Sequence, residues 1–385
     1  MKYIGVMSFM FCCCSAVAAS IEDVTAVQRY PWNDIVDITY TVVGDIDGFA
    51  YTNGLLTAIK VTATDKDSGE SYVAAHLQGE TNLTAGVHSI RWNLDDDAVK
   101  LKSSNVVFTV SCETEEATYC VIDLSGGTNA TNYAVTYMNE IPDGSWSDEY
   151  KTDKLVLKRI NPGTFIMGSN QTNELHRITL TKPFYMGVFE VTQTQWLQVM
   201  GSWPNSYPGS RYGANNAYPA CGINYFSIRG GNWPTSSEVA SGTFISKLQT
   251  KTGLSFDLPT EAQWEYACRA GTTTAFSFGD SADGDYMWYS INANSSTHKV
   301  GTKNPNPWGL YDMHGNVMEW NLDWYEGTLI YGYDPKGSSN GSHRVVRGGT
   351  WLGEDGKQCS SFFRNSYIPS YYENSIGFRL SVTIQ

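Results

Sequence analysis

Two short stretches of the sequence concentrate side chains able to do chemistry. The first, RVVRGGTWLGEDGKQCSSFFR, holds Cys359 between Arg347 and Arg364 and beyond the glycine turn at Gly348 and Gly349. A thiol beside guanidinium groups ionises more readily, and a thiolate is both a nucleophile and a ligand for soft metals. The plainer reading is a buried or disulfide-paired cysteine, the commoner fate of a lone cysteine in an exported domain. The second stretch, PWGLYDMHGNVMEW, sets Asp312 and Glu319 on either side of Gly315. Two carboxylates and the carbonyls of a flexible loop are the hard oxygen donors that calcium prefers. The plainer reading here is a helix-capping aspartate and an exposed glutamate.

Whole classes of chemistry are absent. The sequence contains no GxSxG, GxxxxGK, GxGxxG or HExxH. Its six histidines, His76, His88, His176, His298, His314 and His343, stand at no ligand spacing, which argues against a histidine-held iron or zinc centre. A net charge of -13, with acidic runs at Asp95, Asp96, Asp97 and at Glu113, Glu115, Glu116, opposes any phosphate-neutralising surface. Nucleic acid is therefore not an expected partner.

The first twenty residues, MKYIGVMSFMFCCCSAVAAS, give a basic Lys2, an apolar run and small residues at Val17 and Ala19. This is the pattern of a signal peptide over residues 1–19, and the expected location is secreted or periplasmic. Lipid attachment through Cys12, Cys13 or Cys14 fits less well, because Phe9, Met10 and Phe11 make a poor lipobox. No later segment approaches the roughly 20 consecutive apolar residues of a membrane span. Of the eight cysteines, those three would leave with the leader, and Cys112, Cys120, Cys221, Cys268 and Cys359 remain. Cys112 and Cys120 are expected to form a local disulfide, and the odd count leaves at least one thiol unpaired within the chain.

The elements that must position these residues follow from periodicity. Residues 20–112 contain alternating runs at Val36 to Val43, Ala58 to Thr64, Ser89 to Asn93 and Val106 to Val110, parted by turn sequences such as DKDSGE. Short strands at this spacing predict an all-β sandwich of immunoglobulin or fibronectin type. Asp65, Asp67 and Glu70 fail the spacing of an EF-hand and read as a hairpin turn. Residues 113–153, rich in Gly, Thr, Asn and Ser, read as a linker. Residues 154–385 form a second domain, α+β but rich in loops. Thr192 with Gln195 and Thr260 with Gln263 make capping boxes that open two helices, ended by Gly201 and Gly271. A third helix is predicted from Ser237 to about Thr252, burying Val239, Phe244, Ile245 and Leu248.

Six motifs, in order, resemble the formylglycine-generating enzyme (sulfatase-modifying factor) family: NPGTFIMGS from Asn161, KPFYMGVFEVTQTQW from Lys182, LPTEAQWEYACRAG from Leu258, GLYDMHGNVMEW from Gly309, RVVRGGTW from Arg344 and IGFRL from Ile376. The resemblance covers about Lys154 to Leu380 and implies the irregular C-type-lectin-like fold of that family. Active members oxidise a sulfatase cysteine to formylglycine with oxygen and Cu(I) held by two thiolates. Carried over position by position, the resemblance implies that Cys359 and Thr350 correspond to catalytic positions and that Gly353 stands where the first copper cysteine belongs. It further implies calcium ligands at Asp312, Gly315, Val317 and Glu319. Cys268 matches a family cysteine whose partner would sit at Leu380, so that bridge is missing.

These readings converge on an exported family member lacking the two-cysteine copper site and acting as a binding or scaffold module. Trp308, Trp320, Trp324, Tyr325 and Trp351 are candidate lining for a glycan or peptide surface. The alternative is an active formylglycine-generating oxidase acting on a sulfatase polypeptide, with Cys359 joined by a second thiol such as Cys221.

Overall fold

The computed structural model describes residues 20–28, 35–43, 54–79, 86–99, 106–169, 174–204, 217–329, 331–352 and 354–383. The leader sequence and Gly353 lie outside them. The chain divides into two compact units, Met1–Ala117 and Thr118–Gln385.

In the first unit, alternation of apolar and polar residues gives strands with one buried face. Ser20–Gln28, Ile35–Val43, Gly86–Asn93 and Leu77–Gly79 form one antiparallel sheet, and Ser71–Val73, Gly54–Asp65 and Val106–Glu116 form another. Val36, Ile38, Tyr40, Val61, Ile90, Trp92 and Phe108, drawn from both sheets, share one core. The turn after Gly54–Asp65 is closed by Asp65, whose Oδ1 accepts from the amides of Asp67 and Ser68. That carboxylate serves the backbone, as the hairpin reading required.

The second unit begins earlier than composition suggested. Residues 113–153 are not a linker: Tyr119–Asp123 and Ala134–Met138 pair with each other, and the former pairs with Lys154–Ile160. The polar composition was misleading because the strand YCVID, second from the edge of its sheet, is short and its neighbour is the edge strand, which needs only one apolar face. Cys120, in that strand, is a free and buried thiol, so the expected Cys112–Cys120 bridge is not formed. The six-stranded sheet runs Phe256–Asp257, Ser381–Thr383, Phe184–Gly187, Lys154–Ile160, Tyr119–Asp123, Ala134–Met138.

Both capping boxes are present. Helix α1, Gln193–Met200, is capped by Thr192 and Gln195 and ends on left-handed Gly201. Helix α2, Tyr225–Ile228, is one turn. Helix α3 covers only Phe244–Thr252, because Thr243 caps it by accepting from the Ser246 amide and Gly242 precedes it with φ +81. Residues 237–242 are therefore not helical, although Phe244, Ile245 and Leu248 are buried as expected. Helix α4, Glu261–Arg269, is capped by Thr260 and Gln263, with left-handed Ala270 as its C-cap one residue before Gly271. The last hundred residues are loops over a four-stranded sheet ordered Asn365–Tyr367, Arg344–Arg347, Met318–Trp324, Ile376–Gly377. Gly163–Ser169 and Glu174–Leu180 complete a three-stranded sheet with Gly332–Tyr333.

Candidate functional site

Helix α4 and the strand Met318–Trp324 position the central charges. The register that sets Glu319 opposite Arg347 and beside Gly377 brings the GLYDMHGNVMEW, RVVRGGTW and IGFRL stretches together. Glu319 is fully buried, and both of its oxygens are held by Arg379 at 2.6 Å. Trp264 Nε1 of α4 donates to Glu319 Oε2 at 2.7 Å. Arg379 also donates to the carbonyls of Gly187 and Tyr311, each at 3.0 Å. A charge so buried survives only when it is paired and hydrogen-bonded, and here all three guanidinium nitrogens and both carboxylate oxygens have a partner.

Glu190 and Asp312 share the same dry region. Glu190 accepts from the Val317 amide at 3.1 Å and from Asn316 Nδ2 at 2.7 Å. Asp312 Oδ2 accepts from the Gly301 amide at 2.7 Å, while its Oδ1 is buried with no hydrogen-bond partner. Burial and the neighbouring carboxylates push Glu190 well above the usual carboxylate range, and burial pushes Asp312 to about 6. Three carboxyl groups face one guanidinium, and proton uptake, first by Glu190, relieves their like-charge repulsion. Gly315, at φ +81, is required by close approach: a Cβ there would lie 2.1 Å from the Trp288 carbonyl oxygen. Of the four residues read as calcium ligands, Asp312 has a free oxygen and Glu319 has none. The Val317 amide faces Glu190, and Gly315 donates its N–H to the Gly348 carbonyl. Among the described residues no three His, Cys, Asp or Glu side chains gather as a ready metal site.

Cys359 and Thr350 are brought together, but not as an exposed pair. The Cys359 thiol lies 3.9 Å from the Thr350 carbonyl oxygen and packs with Phe276, Met287 and Tyr289. Burial pushes it to about 12, so the thiol form prevails. The expectation that Arg347 and Arg364 would activate it is corrected by their partners. Arg347 pairs with Glu265 and Arg364 with Glu261, both on α4. Arg269 also pairs with Glu265, at 2.7 Å, so that carboxylate carries two guanidiniums. Cys221 sits in a different apolar cluster, with Ala293, Val317 and Trp351, and burial pushes its thiol to about 12 as well. Two buried, protonated thiols in separate clusters do not fit Cu(I), which needs a pair of thiolates on one ion.

His314 occupies the space between two of the cysteines. Its Nδ1–H donates to the Cys359 carbonyl at 2.7 Å, its Nε2 accepts from the Ser277 amide at 3.2 Å, and the Cys268 sulfur lies 3.6 Å from Nε2. Burial lowers its pKa to about 4, so it is a neutral packing residue. Cys268 is free, in keeping with Leu380 at the position of its expected partner. Of the aromatic residues read as a binding surface, Trp320 and Trp351 are core residues, Trp308 and Trp324 are partly buried, and Tyr325 is exposed. Glu190 and Arg379 escaped the sequence reading. Their signal was available: each is a charge between apolar neighbours, Phe189 and Val191 or Phe378 and Leu380, and a charge so placed must be buried and paired.

A loop-rich sheet domain organised around buried Arg–Glu pairs is the class that this geometry defines. The family model described as "Sulfatase-modifying factor enzyme 1-like domain" matches residues 147–384, more than half of the chain, and the chain belongs to that family. The formylglycine-generating enzyme of Streptomyces coelicolor is 33% identical over 142 residues, covering 32% of this chain and 45% of that protein. "Chaperone protein LppX" of Paenibacillus barcinonensis is 28% identical over 234 residues, covering 52% and 79%. "Serine/threonine-protein kinase pkn1" of Chlamydia caviae is 37% identical over 129 residues, 32% of this chain but 20% of the relative. The chain thus spans about a fifth of the length of that curated relative. Among solved structures, Treponema denticola variable protein 1 aligns with a TM-score of 0.50 and 27% identity, covering 60% of this chain and 96% of the other. The fold expectation for the second domain is met.

Proposed function

We propose that this is an exported, diverged family member that has given up the copper oxidase reaction and serves as a binding or scaffold module. The observation that carries the reading is Cys359: a thiol at zero exposure, protonated by burial, with its neighbouring arginines committed to Glu261 and Glu265. Gly353, where the resemblance puts the other copper cysteine, supports it. Purified protein is to be incubated with Cu(I), oxygen and a peptide bearing the CxPxR sulfatase motif, then read by mass spectrometry. No thiol-to-aldehyde conversion is expected. Conversion that disappears in Cys359→Ser would instead establish the oxidase reading and make a sulfatase polypeptide the substrate.

Calcium belongs to this reading as a structural ion. The support on this chain is the free Asp312 Oδ1, a buried hard oxygen beside the carboxyls of Glu190 and Glu319. Asp312 would supply the first carboxylate oxygen, and the ion would offset like-charge repulsion. The Glu319 oxygens are already engaged, so its part would be shared with Arg379. Export rests on the leader pattern of residues 1–19, and N-terminal sequencing of the mature protein tests it.

A further inference from the structure

The second unit carries a cleft of about 520 Å³ away from Cys359, walled by residues of six separate segments, among them Lys182, Trp233, Phe256, Gln263 and Lys336. Its size is that of a small-ligand site. Two features set its chemistry. Lys182 and Lys336 both line it, both are exposed, and neither makes an ion pair among the described residues. Lys336 instead lies 5.6 Å from the Trp233 ring centroid. Of the two acidic residues of the cleft, Asp257 is neutralised by Arg229 at 2.7 and 3.1 Å, while Asp334 accepts from the amide and hydroxyl of Thr181, so the two lysines outnumber the one carboxylate that has no cation. In a chain of net charge -13, this cleft therefore offers two ammonium groups to a ligand.

The remaining wall is hydroxyl and amide side chains, Ser237, Gln249, Ser255, Gln263 and Thr383, over an apolar floor that includes Leu180, Phe256 and Leu258. The Trp233 indole N–H is a buried donor without a partner in the same wall. Mixed hydroxyl donors and acceptors beside an aromatic face suit a polyol, and the two lysines suit a carboxylate. An added peptide strand suits it less. At the edge strand Phe256–Asp257, the Phe256 amide donates to the Leu254 carbonyl, the Phe256 carbonyl accepts from Gln249 Nε2 and the Leu258 amide donates to Asp257. The backbone groups that β-augmentation would use are taken.

We propose that this cleft binds a carboxylate-bearing saccharide, with Lys182 and Lys336 at the carboxylate and the hydroxyl and amide wall at the ring hydroxyls. The proposal rests on the reading of the domain as a binding module and names its ligand class. The test is calorimetric titration of the full chain with glucuronate, glucose and acetate at low salt, repeated on the Lys182→Ala/Lys336→Ala double variant. Glucuronate is expected to bind at least about tenfold tighter than either control, and the double variant to lose at least about tenfold. Both lysines are exposed and without ion pairs, so the variant is expected to melt with the wild type. Absent glucuronate binding, equal binding of glucose, or an unchanged double variant would each overturn the assignment. Oxidase turnover by the wild type would overturn the binding-module reading, whereas glucuronate titration decides the cleft by itself.

Discussion

Glu319 and Arg379, sixty residues apart in sequence, meet in a two-point ion pair at 2.6 Å with neither side chain exposed to solvent. The pair ties the strand Met318–Trp324 to the segment that leads into Ser381–Thr383. Through Trp264 it also reaches α4. Arg379→Met would leave Glu319 buried without its cation. A loss of about 3–5 kcal/mol is expected on denaturant unfolding. A loss below about 1 kcal/mol would mean that water reaches the site and the pair is not sealed.

Gly349 turns the backbone at φ +71, and a Cβ added there would meet the Gln358 carbonyl oxygen at 2.5 Å and the Cys359 sulfur at 2.7 Å. Gly349→Ala combines left-handed strain with overpacking against backbone. Destabilisation on the order of 2–4 kcal/mol is expected in thermal or urea unfolding. A neutral outcome would show that the loop around Cys359 can move away.

Asp323 gives a pH signature. Burial, then the neighbouring Glu261 carboxylate, raise its pKa to about 7 in the folded protein, while its Oδ2 accepts from the Glu261 amide at 2.8 Å. The folded state therefore holds a proton that the unfolded chain releases near 3.8. Its contribution is fully present below that value and lost as pH rises through about 7. Asp323→Asn keeps an acceptor and cannot ionise. The stability difference, variant minus wild type, should grow between those pH values by on the order of 2–4 kcal/mol, measured by urea unfolding across pH. A flat difference would place the carboxyl in contact with solvent.

Cys120, Cys221, Cys268 and Cys359 are all buried, and burial pushes each thiol to about 12. Thiol-directed alkylation of the native protein at neutral pH should leave these four unlabelled, with full labelling after unfolding. Rapid native labelling of Cys359 by peptide mapping would restore it as a reactive group.

Calcium is tested by melting with and without chelator. An ion bound only by the folded state raises the midpoint, so chelation should lower it, and Asp312→Asn should abolish the difference. Identical melts for the wild type would leave protonation of Glu190 and Asp312 as the way the charge is relieved.

Much of this molecule was legible in its residues. Local signals reported local structure: the capping boxes at Thr192 and Thr260 started helices where they were read, because a cap is satisfied within four residues. Alternation gave four strands of the first unit but not Ser20–Gln28, Ser71–Val73 or Leu77–Gly79, and six ordered motifs gave the fold of the second. Longer-range features were less legible. Sequence placed Arg347 and Arg364 near Cys359, yet both guanidiniums are claimed by carboxylates of α4, about eighty to one hundred positions away. Residues 113–153 looked like a linker until Tyr119–Asp123 found its neighbours in the sheet.

The sequence by itself determined which residue types were present to do chemistry: a lone cysteine at 359, glycine at 353, and acidic residues at 312 and 319. Only the tertiary structure decided their state. Ionisation and metal affinity depend on solvent access and on the charges within a few ångströms, and those are set by packing between segments far apart in the chain. Burial thus turned Cys359 into an inert thiol, and strand register gave Glu319 to Arg379.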